Sequence, residues 1–332
     1  MNESKVRWGI LGCGRIARKF AADLRSVADA ELIAIASRNK ETLELFAIDF
    51  PCKHLHNSYE GLVTNKAVDV IYVATPHSHH YEHTMLCLNH DKAVLCEKAF
   101  AINSRQAMEM VKTANERKVF LMEALWTKFL PHYKKLQELL QQKILGDIKS
   151  MLVNFGFNTA GNPSQRLFDP SLGGGTLLDI GIYNVFMTMS VLGKPDSIEA
   201  TMTPAPTGVD EQIAVLFNYK NGVMAQLFSS FVTNLPTQAE INGTAGCITL
   251  TSRFYEPSTT IQLSKKVPYE REIIAVEKEP GFGYQYEARH VNECLKLGLI
   301  ESPVMTHADT LLLMEILDRI RMKAGVKYPA DF

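Results

Sequence analysis

The most constraining feature of this 332-residue sequence is its opening segment, where a short apolar run leads directly into closely spaced glycines. Residues 6–11 are followed by Gly12, Gly14 and Ala17 in the pattern G-x-G-x-x-A, and an amphipathic segment begins at Ile16. The pattern predicts a strand, a tight turn at Gly12 and a helix, with Gly14 leaving room for a pyrophosphate at the helix N-terminus. A tight turn without a ligand is the alternative.

The end of the second predicted strand, residues 31–36, indicates which dinucleotide would bind. In NAD-binding sheets an acidic residue about 20 residues beyond the glycine motif holds the ribose. Here Ser37 and Arg38 follow the strand, and no carboxylate stands with them. Because a guanidinium offers a planar fork of donors to phosphate oxygens, this pair favours NADP over NAD. A solvated residue at the start of a helix is the other interpretation of Arg38.

Composition and charge exclude several classes of protein. The formal net charge is −1, which gives no basic surplus for nucleic acid or an anionic membrane surface. The sequence has no signal-peptide pattern and no apolar run long enough to span a bilayer. The cysteines form no C-x-x-C pair, so we expect free thiols in a cytoplasmic protein rather than a disulfide framework or a metal site. They are scattered along the chain: Cys13, Cys52, Cys87, Cys96, Cys247 and Cys294.

The order of predicted elements indicates an α/β protein with two domains, which the length also favours. Strands and helices alternate through residues 1–123, which predicts a Rossmann-type, doubly wound parallel sheet that binds the dinucleotide. From Ala124 onward, hairpin-linked strands flanked by helices predict an α+β arrangement on a mainly antiparallel open sheet. We therefore predict a second domain, residues 124–332, for substrate binding and dimerisation.

The segment after the strand at residues 68–74 is expected to lie in the site, since ligands of open α/β sheets bind outside the carboxyl ends of the strands. Thr75, Pro76 and His79 are therefore predicted to contact the cofactor. No cysteine or carboxylate accompanies the histidines of this segment with convincing ligand spacing, so we do not predict a metal site. The histidines are His77, His79, His80 and His83.

Glu97 and Lys98 directly follow the strand at residues 93–96. At the carboxyl end of a parallel strand, Lys98 is well placed to contact the nicotinamide side of a dinucleotide and the substrate. An ordinary surface lysine is the alternative.

Asp179 and Tyr183 stand four residues apart in an apolar segment that is predicted to be helical, so they are expected to share one face. A carboxylate in such a setting requires a partner, and Lys98 is a candidate. An ammonium group near a phenol favours the phenolate, which would allow Tyr183 to exchange a proton with a hydroxyl. The alternatives are a capping or surface role for Asp179 and a core position for Tyr183.

Three motifs together resemble the glucose–fructose oxidoreductase/inositol dehydrogenase (Gfo/Idh/MocA) family. They are the glycine pattern at Gly12, the pair Glu97-Lys98, and residues 173–183, which read Gly-Gly-Gly-Thr-Leu-Leu-Asp-Ile-Gly-Ile-Tyr. Within the family the sequence is most similar to the branch of dimeric dihydrodiol dehydrogenase and NADP-dependent D-xylose dehydrogenase. Residues 36–38, 95–98 and 120–127 carry this closer likeness.

The resemblance implies a role for each matching residue. Lys98, Tyr183 and Asp179 match catalytic and substrate-holding positions, and the family implies a homodimer through the open face of the C-terminal sheet. The predicted substrate pocket contains Trp126, Phe155 and Phe282. The predicted cofactor-binding residues are Gly12, Gly14, Arg15, Ile16, Ser37, Arg38, Thr75, Pro76, His79, Glu97 and Lys98.

These residues predict an NADP(H)-dependent oxidoreductase that moves hydride between nicotinamide and a sugar or vicinal diol, with Tyr183 as acid/base assisted by Lys98. Two alternatives remain: a non-catalytic, NADP-sensing regulatory protein of the same fold, and a reductase of another carbonyl or imine compound. Ala99 stands where most family members have proline, so we expect Lys98 to be less constrained than in its relatives.

Overall fold

The chain folds into two units, each compact in itself, which a computed structural model describes for residues 5–159, 165–251, 253–265 and 271–332. The first unit comprises Met1–Lys128 and Glu279–Leu311, and the second comprises Phe129–Lys278 and Leu312–Phe332. This division differs from the predicted domains 1–123 and 124–332, because a late segment of the chain returns to the first unit.

The returning segment is held by buried polar contacts as well as by packing. The Trp8 indole N–H donates to Asn292 Oδ1 at 3.0 Å, deep inside the first unit. The Asp23 carboxylate accepts backbone N–H groups from Phe282, Gly283 and Tyr284 at 2.8–2.9 Å. Such long-range partners cannot be identified from periodicity. The sequence analysis therefore assigned residues 279–311 to the second domain.

A six-stranded parallel sheet forms the centre of the first unit, in the order β3-β2-β1-β4-β5-β6. This order is that of a dinucleotide-binding doubly wound sheet, and it confirms the predicted Rossmann arrangement. Almost every residue of β1, β4 and β5 is buried, as expected for strands covered on both faces. The strands are β1 (Val6–Leu11), β2 (Ala30–Ala36), β3 (His54–His56), β4 (Val70–Val73), β5 (Ala93–Glu97) and β6 (Leu121–Ala124).

Helices alternate with the strands of this sheet, as the sequence predicts. The α-helices are α1 (Arg15–Leu24), α2 (Lys40–Asp49), α3 (Tyr59–Val63), α4 (His80–Asn89), α5 (Ser104–Arg117), α6 (Pro131–Gln141), α7 (Ile182–Leu192), α8 (Tyr284–Lys296) and α9 (His307–Ala324).

An eight-stranded sheet forms the centre of the second unit, in the order β14-β13-β12-β11-β7-β10-β9-β8. All its neighbouring pairs are antiparallel except β7 with β10, so the predicted mainly antiparallel sheet is confirmed. The strands are β7 (Ile148–Gly156), β8 (Ser197–Pro204), β9 (Asp210–Asn218), β10 (Met224–Ser230), β11 (Gln238–Gly243), β12 (Cys247–Thr251), β13 (Thr260–Ser264) and β14 (Arg271–Ile274).

The sequence analysis did not identify β3, β13 or β14. Strands β3 and β14 span three and four residues and are mostly exposed, so neither shows the alternation of a half-buried strand. Strand β13 does alternate, but it is only five residues long.

Residues 170–192 are long and apolar enough to cross a membrane, by length and composition alone. Within the second unit, however, 72% of that apolar window is buried. The segment also changes conformation at Gly181, because Leu177–Gly181 forms a π-helical turn before α7 begins. A buried core helix passes the same test, so the composition does not identify a membrane span.

Candidate active site

The glycine turn after β1 has the geometry that a pyrophosphate requires. Gly12 has φ +97°, and a Cβ there would lie 3.0 Å from Thr75 Cγ2 and 3.1 Å from the Ala74 carbonyl oxygen. Gly14 is exposed, and the nearest atom to a Cβ there would be the Ala74 oxygen at 4.0 Å. Ala17 is fully buried. Gly12 is therefore required by the turn itself, whereas Gly14 keeps the space above the turn open.

The N-terminus of α1 is available for an anion. Gly14 is its N-cap residue and has no side chain to bond the first backbone N–H groups. Arg15 and Ile16 form the first turn, where the helix dipole and the N–H groups favour negative charge. The turn is tied to the next strand by a 2.9 Å hydrogen bond from the Gly12 N–H to the Ala36 carbonyl. These residues fit the diphosphate of a dinucleotide.

The end of β2 presents a hydroxyl and a guanidinium beside this turn. Ser37 is buried, and its Oγ accepts the Asn39 N–H at 3.2 Å, which leaves the hydroxyl proton available to a ligand. Arg38 is exposed, and its guanidinium lies 5.5 Å from the centroid of the Tyr59 ring. Both side chains can donate hydrogen bonds to a phosphate group.

The histidines after β4 have structural partners. His80 lies fully buried between two carbonyl groups, with Nδ1 2.7 Å from the Ala99 oxygen and Nε2 2.7 Å from the Thr75 oxygen. His83 Nδ1 lies 3.0 Å from Thr75 Oγ1. Burial lowers the pKa of His80 to about 4 and that of His83 to about 3, so both are neutral near pH 7. Sequence reasoning did not foresee these positioning roles.

Among the described residues, no group of three or more His, Cys, Asp or Glu side chains is arranged to hold a metal ion. His79 is half-buried, and its Nδ1 lies 2.9 Å from Ser78 Oγ. Pro76 is likewise partly accessible and precedes a 3₁₀ turn, His77–His79. The contact of Thr75, Pro76 and His79 with a cofactor remains a prediction.

The turn after β5 is anchored from two sides. Glu97 is buried at the end of the strand, where its carboxylate accepts the Tyr72 hydroxyl and, at 3.2 Å, the Lys98 backbone N–H. On the other side, the fully buried Ala99 follows Lys98 through a cis peptide bond, and His80 bonds its carbonyl. The backbone on both sides of Lys98 is therefore held by hydrogen bonds, with alanine rather than proline at residue 99.

In the second unit, the glycine triplet is required by close packing. A Cβ on Gly174 would lie 2.7 Å from the Leu167 carbonyl oxygen, and one on Gly175, at φ +108°, would lie 2.3 Å from Asp210 Oδ1. The buried Asp210 carboxylate accepts the Thr176 hydroxyl at 2.6 Å and the Leu177 N–H at 2.7 Å. Burial raises the pKa of Asp210 to about 6. This loop sets the start of the π-helical turn that carries Asp179.

Asp179 pairs with Arg166, whose Nη2 lies 2.9 Å from Asp179 Oδ1. The sequence analysis could not identify Arg166, because the pairing depends on the loop before the glycines. An interaction of Asp179 with Lys98 remains a prediction. Asp179 lies in the π-helical turn rather than in a continuous α-helix with Tyr183. The charge on this mostly buried carboxylate is nevertheless compensated, as an apolar setting requires.

Tyr183 is buried in a cluster of aromatic rings. Its ring centroid lies 4.7 Å from that of Tyr255 and 6.1 Å from that of Phe155, and the Phe155 and Tyr255 rings stack at 4.5 Å. Burial, followed by smaller effects that include the Asp179 charge, raises the pKa of Tyr255 above its usual value. Tyr255 is therefore a neutral phenol close to both Asp179 and Tyr183. The sequence analysis did not single it out.

Comparison with known proteins agrees with this geometry. The family model described as "Oxidoreductase family, NAD-binding Rossmann fold" matches residues 6–125, and the GFO/IDH/MocA C-terminal domain model matches residues 133–249. The chain belongs to the GFO/IDH/MocA family of oxidoreductases. The first model covers β1 to β6 with the glycine turn and Lys98, and the second covers the glycine triplet, Asp179 and Tyr183.

Similar curated proteins share nearly the full length. The chain is 38% identical to a trans-1,2-dihydrobenzene-1,2-diol dehydrogenase of Xenopus tropicalis and 36% identical to that of Homo sapiens, over 98% of this chain and 99% of each relative. Among solved structures, a 3-ketoreductase from Actinomadura kijaniata in complex with NADP and TDP-benzene is 25% identical, with a TM-score of 0.85 over 97% of this chain and 98% of that one.

A further solved structure shows the fold at greater sequence distance. The aldose-aldose oxidoreductase from Caulobacter crescentus, complexed with glycerol, is 22% identical and gives a TM-score of 0.88 over 97% of this chain and 98% of that one. The predicted family and fold class are thus confirmed.

The structure places the predicted pocket residues in both units. Phe155 lies beside Tyr183 in the second unit. In the first unit, Trp126 stacks on Tyr284 with centroids 4.5 Å apart, and Phe282 is 47% exposed with Lys19 Nζ 5.3 Å from its ring. The participation of Trp126 and Phe282 in substrate binding remains a prediction.

Substitution by alanine should have different effects at Gly12 and at Gly14. Gly14→Ala has an allowed φ of −81° and no close contact, so thermal stability should be unchanged, while the new methyl group should weaken NADPH binding by about tenfold or more. Gly12→Ala should instead lower the melting temperature, because of its positive φ and its tight contacts with residues 74 and 75. Thermal melts and fluorescence titration with NADPH measure both effects. Unchanged NADPH affinity in Gly14→Ala would show that no phosphate lies above this turn.

Proposed function

We propose that this protein is an NADP(H)-dependent oxidoreductase that transfers hydride between nicotinamide and a CH–OH group of a vicinal diol or sugar. The observation that carries the proposal is the arrangement in the second unit, where a charge-compensated Asp179 and the phenol Tyr183 lie in the same aromatic surroundings. Full-length similarity to proteins named trans-1,2-dihydrobenzene-1,2-diol dehydrogenase supports it.

The aromatic surroundings favour a small cyclic substrate. The stacked rings of Phe155 and Tyr255 offer a flat apolar surface, against which the face of a six-membered ring can pack. The Asp179 carboxylate can accept hydrogen bonds from two adjacent hydroxyl groups while Arg166 compensates its charge. A vicinal diol on a ring, or a pyranose, combines both features.

Each catalytic residue has a distinct proposed role. When bound, the nicotinamide supplies hydride chemistry. Tyr183 removes or returns the hydroxyl proton, Asp179 orients the hydroxyl groups, and Lys98 assists proton transfer by favouring the phenolate. The anchored turn on both sides of Lys98 supports this role, since a catalytic side chain requires a fixed backbone.

The proposal favours NADP over NAD because of the residues that follow β2. Ser37 retains a hydroxyl proton to donate, and Arg38 makes no salt bridge with a carboxylate among the described residues, so its charge is available to a 2′-phosphate. The 3-ketoreductase structure in complex with NADP is consistent with this choice.

We also propose a homodimer that forms through the open face of the second sheet. On three adjacent strands, Leu152 of β7, Leu216 of β9 and Met224 of β10 are 38%, 36% and 52% exposed. Leu152 and Leu216 lie in one row, since both pair with Gln226 of the strand between them. Exposed apolar side chains in a row favour association.

The free cysteines support a reducing, cytoplasmic location.

Turnover should be detectable with purified protein at the reduced-nicotinamide absorbance band. We expect NADP to be reduced in the presence of a trans-diol or an aldose, and NAD to support a much lower rate. Binding of NADPH without turnover across a panel of diols, pentoses and hexoses would favour the sensing function instead. A preference for NAD would contradict the role assigned to Ser37 and Arg38.

Tyr183→Phe should retain the ring packing and remove only the hydroxyl. Turnover should fall by about 10²- to 10⁴-fold because the acid/base group is lost, while NADPH affinity and thermal stability stay near those of the unmodified protein. Tyr219→Phe is the matched control, since Tyr219 lies in the same unit and its hydroxyl bonds the Gly193 carbonyl. Full activity in Tyr183→Phe would remove this residue from the mechanism.

Leu216→Glu should convert the proposed dimer into a monomer, because it places a charge within an apolar interface. Sedimentation velocity measures the change. Leu299→Glu is the matched control, since Leu299 is equally exposed, at 36%, but lies in the first unit. A dimer that persists in Leu216→Glu would contradict the proposed interface.

A further inference from the structure

The side chain of Arg38 leaves the end of β2 and reaches solvent. A long flexible side chain loses conformational freedom when it binds a phosphate, so a site that recognises phosphate benefits from holding the guanidinium in place beforehand. A residue that holds Arg38 must lie beside it in space, and Tyr59 lies there.

Tyr59 provides a ring beside this guanidinium. It is the first residue of α3, whose cap, Ser58, accepts the Gly61 N–H at 3.1 Å, so the backbone that carries the ring is fixed. The ring is only 9% exposed, and the Arg38 guanidinium carbon lies 5.5 Å from its centroid. This distance is within the range of a cation–π interaction. Burial raises the pKa of Tyr59, while the charge of Arg38 and a hydrogen bond with it act in the opposite direction.

The His83 ring, carried by α4, packs against Tyr59. The His83 imidazole meets the Tyr59 ring edge to face, with centroids 4.6 Å apart and planes at 70°. His83 is buried and uncharged near neutral pH, and its Nδ1 lies 3.0 Å from Thr75 Oγ1 at the end of β4. The Tyr59 ring is therefore held between a fixed imidazole and the guanidinium, which makes it a rigid support for Arg38.

We propose that Tyr59 is a positioning residue that holds Arg38 for a 2′-phosphate, and thereby contributes to the preference for NADP over NAD. This inference rests on the proposed NADP dependence. The ligand group it serves is the phosphate ester of an adenosine ribose, which a planar guanidinium binds through two parallel N–H donors. The proposal involves no contact of the Tyr59 ring with the diphosphate or the nicotinamide. Its effect on affinity should therefore be confined to 2′-phosphorylated cofactors.

The test is fluorescence titration of NADPH and NADH with Tyr59→Leu, Tyr59→Phe and Arg38→Ala. Tyr59→Leu should weaken NADPH binding about three- to tenfold, as expected for loss of a cation–π contact, and should change NADH binding less than about twofold. Tyr59→Phe keeps the ring and should stay within about twofold for both cofactors. Arg38→Ala should weaken NADPH binding at least as much as Tyr59→Leu.

Two further variants separate positioning from folding. Tyr59→Met keeps most of the buried volume without a ring, and it replaces Tyr59→Leu if that variant does not melt cooperatively. Tyr81→Leu is the matched control, since Tyr81 is a partly exposed tyrosine of the same unit whose hydroxyl bonds Glu109. Its NADPH and NADH affinities should be unchanged. In the double variant Arg38→Ala with Tyr59→Leu, the loss should equal that of Arg38→Ala alone.

The outcomes distinguish this inference from the proposed function. If Arg38→Ala weakens NADPH binding selectively but neither ring-free variant does, Arg38 recognises the phosphate without Tyr59 and the inference is overturned. It is also overturned if the ring-free variants weaken NADPH and NADH equally, since that indicates a purely structural role. If Arg38→Ala leaves the ratio of the two affinities unchanged, the proposed NADP dependence fails, and the role of Tyr59 fails with it.

Discussion

The site depends on the parallel arrangement of β1, β2, β4 and β5, because it brings the carboxyl ends of all four strands to one edge of the sheet. Each strand delivers a different chemical group there. The open helix N-terminus at Gly14 follows β1, and Arg38 follows β2. Thr75 follows β4, and Lys98 follows β5. Residues far apart in sequence thus form one surface that fits a phosphorylated dinucleotide.

Buried neutral histidines stabilise this edge. His80 joins the carbonyl groups of Thr75 and Ala99, and so connects the segments that follow β4 and β5. Since both acceptors are carbonyl oxygens, an uncharged imidazole donates to one of them at a time. His83 bonds the Thr75 hydroxyl and supports Tyr59. Because burial keeps both imidazoles neutral, they add no positive charge to the interior.

The second unit uses buried carboxylates in two different ways. Asp210 is fully buried and bonds the backbone and hydroxyl groups at the start of the π-helical turn, so it fixes the loop. Asp179 is slightly exposed and pairs with Arg166. The first carboxylate fixes the backbone of the loop, and the second joins the π-helical turn to the loop before the glycines. The same residue type serves both purposes because burial and partners differ.

The sequence by itself determined the alternating order of strands and helices, the glycine turn, and the polar residues at the strand ends, because periodicity and backbone restrictions are local properties. Only the tertiary structure decided which side chains meet. Arg166 pairs with Asp179, the Tyr59 ring lies beside the Arg38 guanidinium, and residues 279–311 return to the first unit. These pairings join segments that local patterns treat as independent. They arise from packing and long-range hydrogen bonds, which leave no periodic signal in the chain.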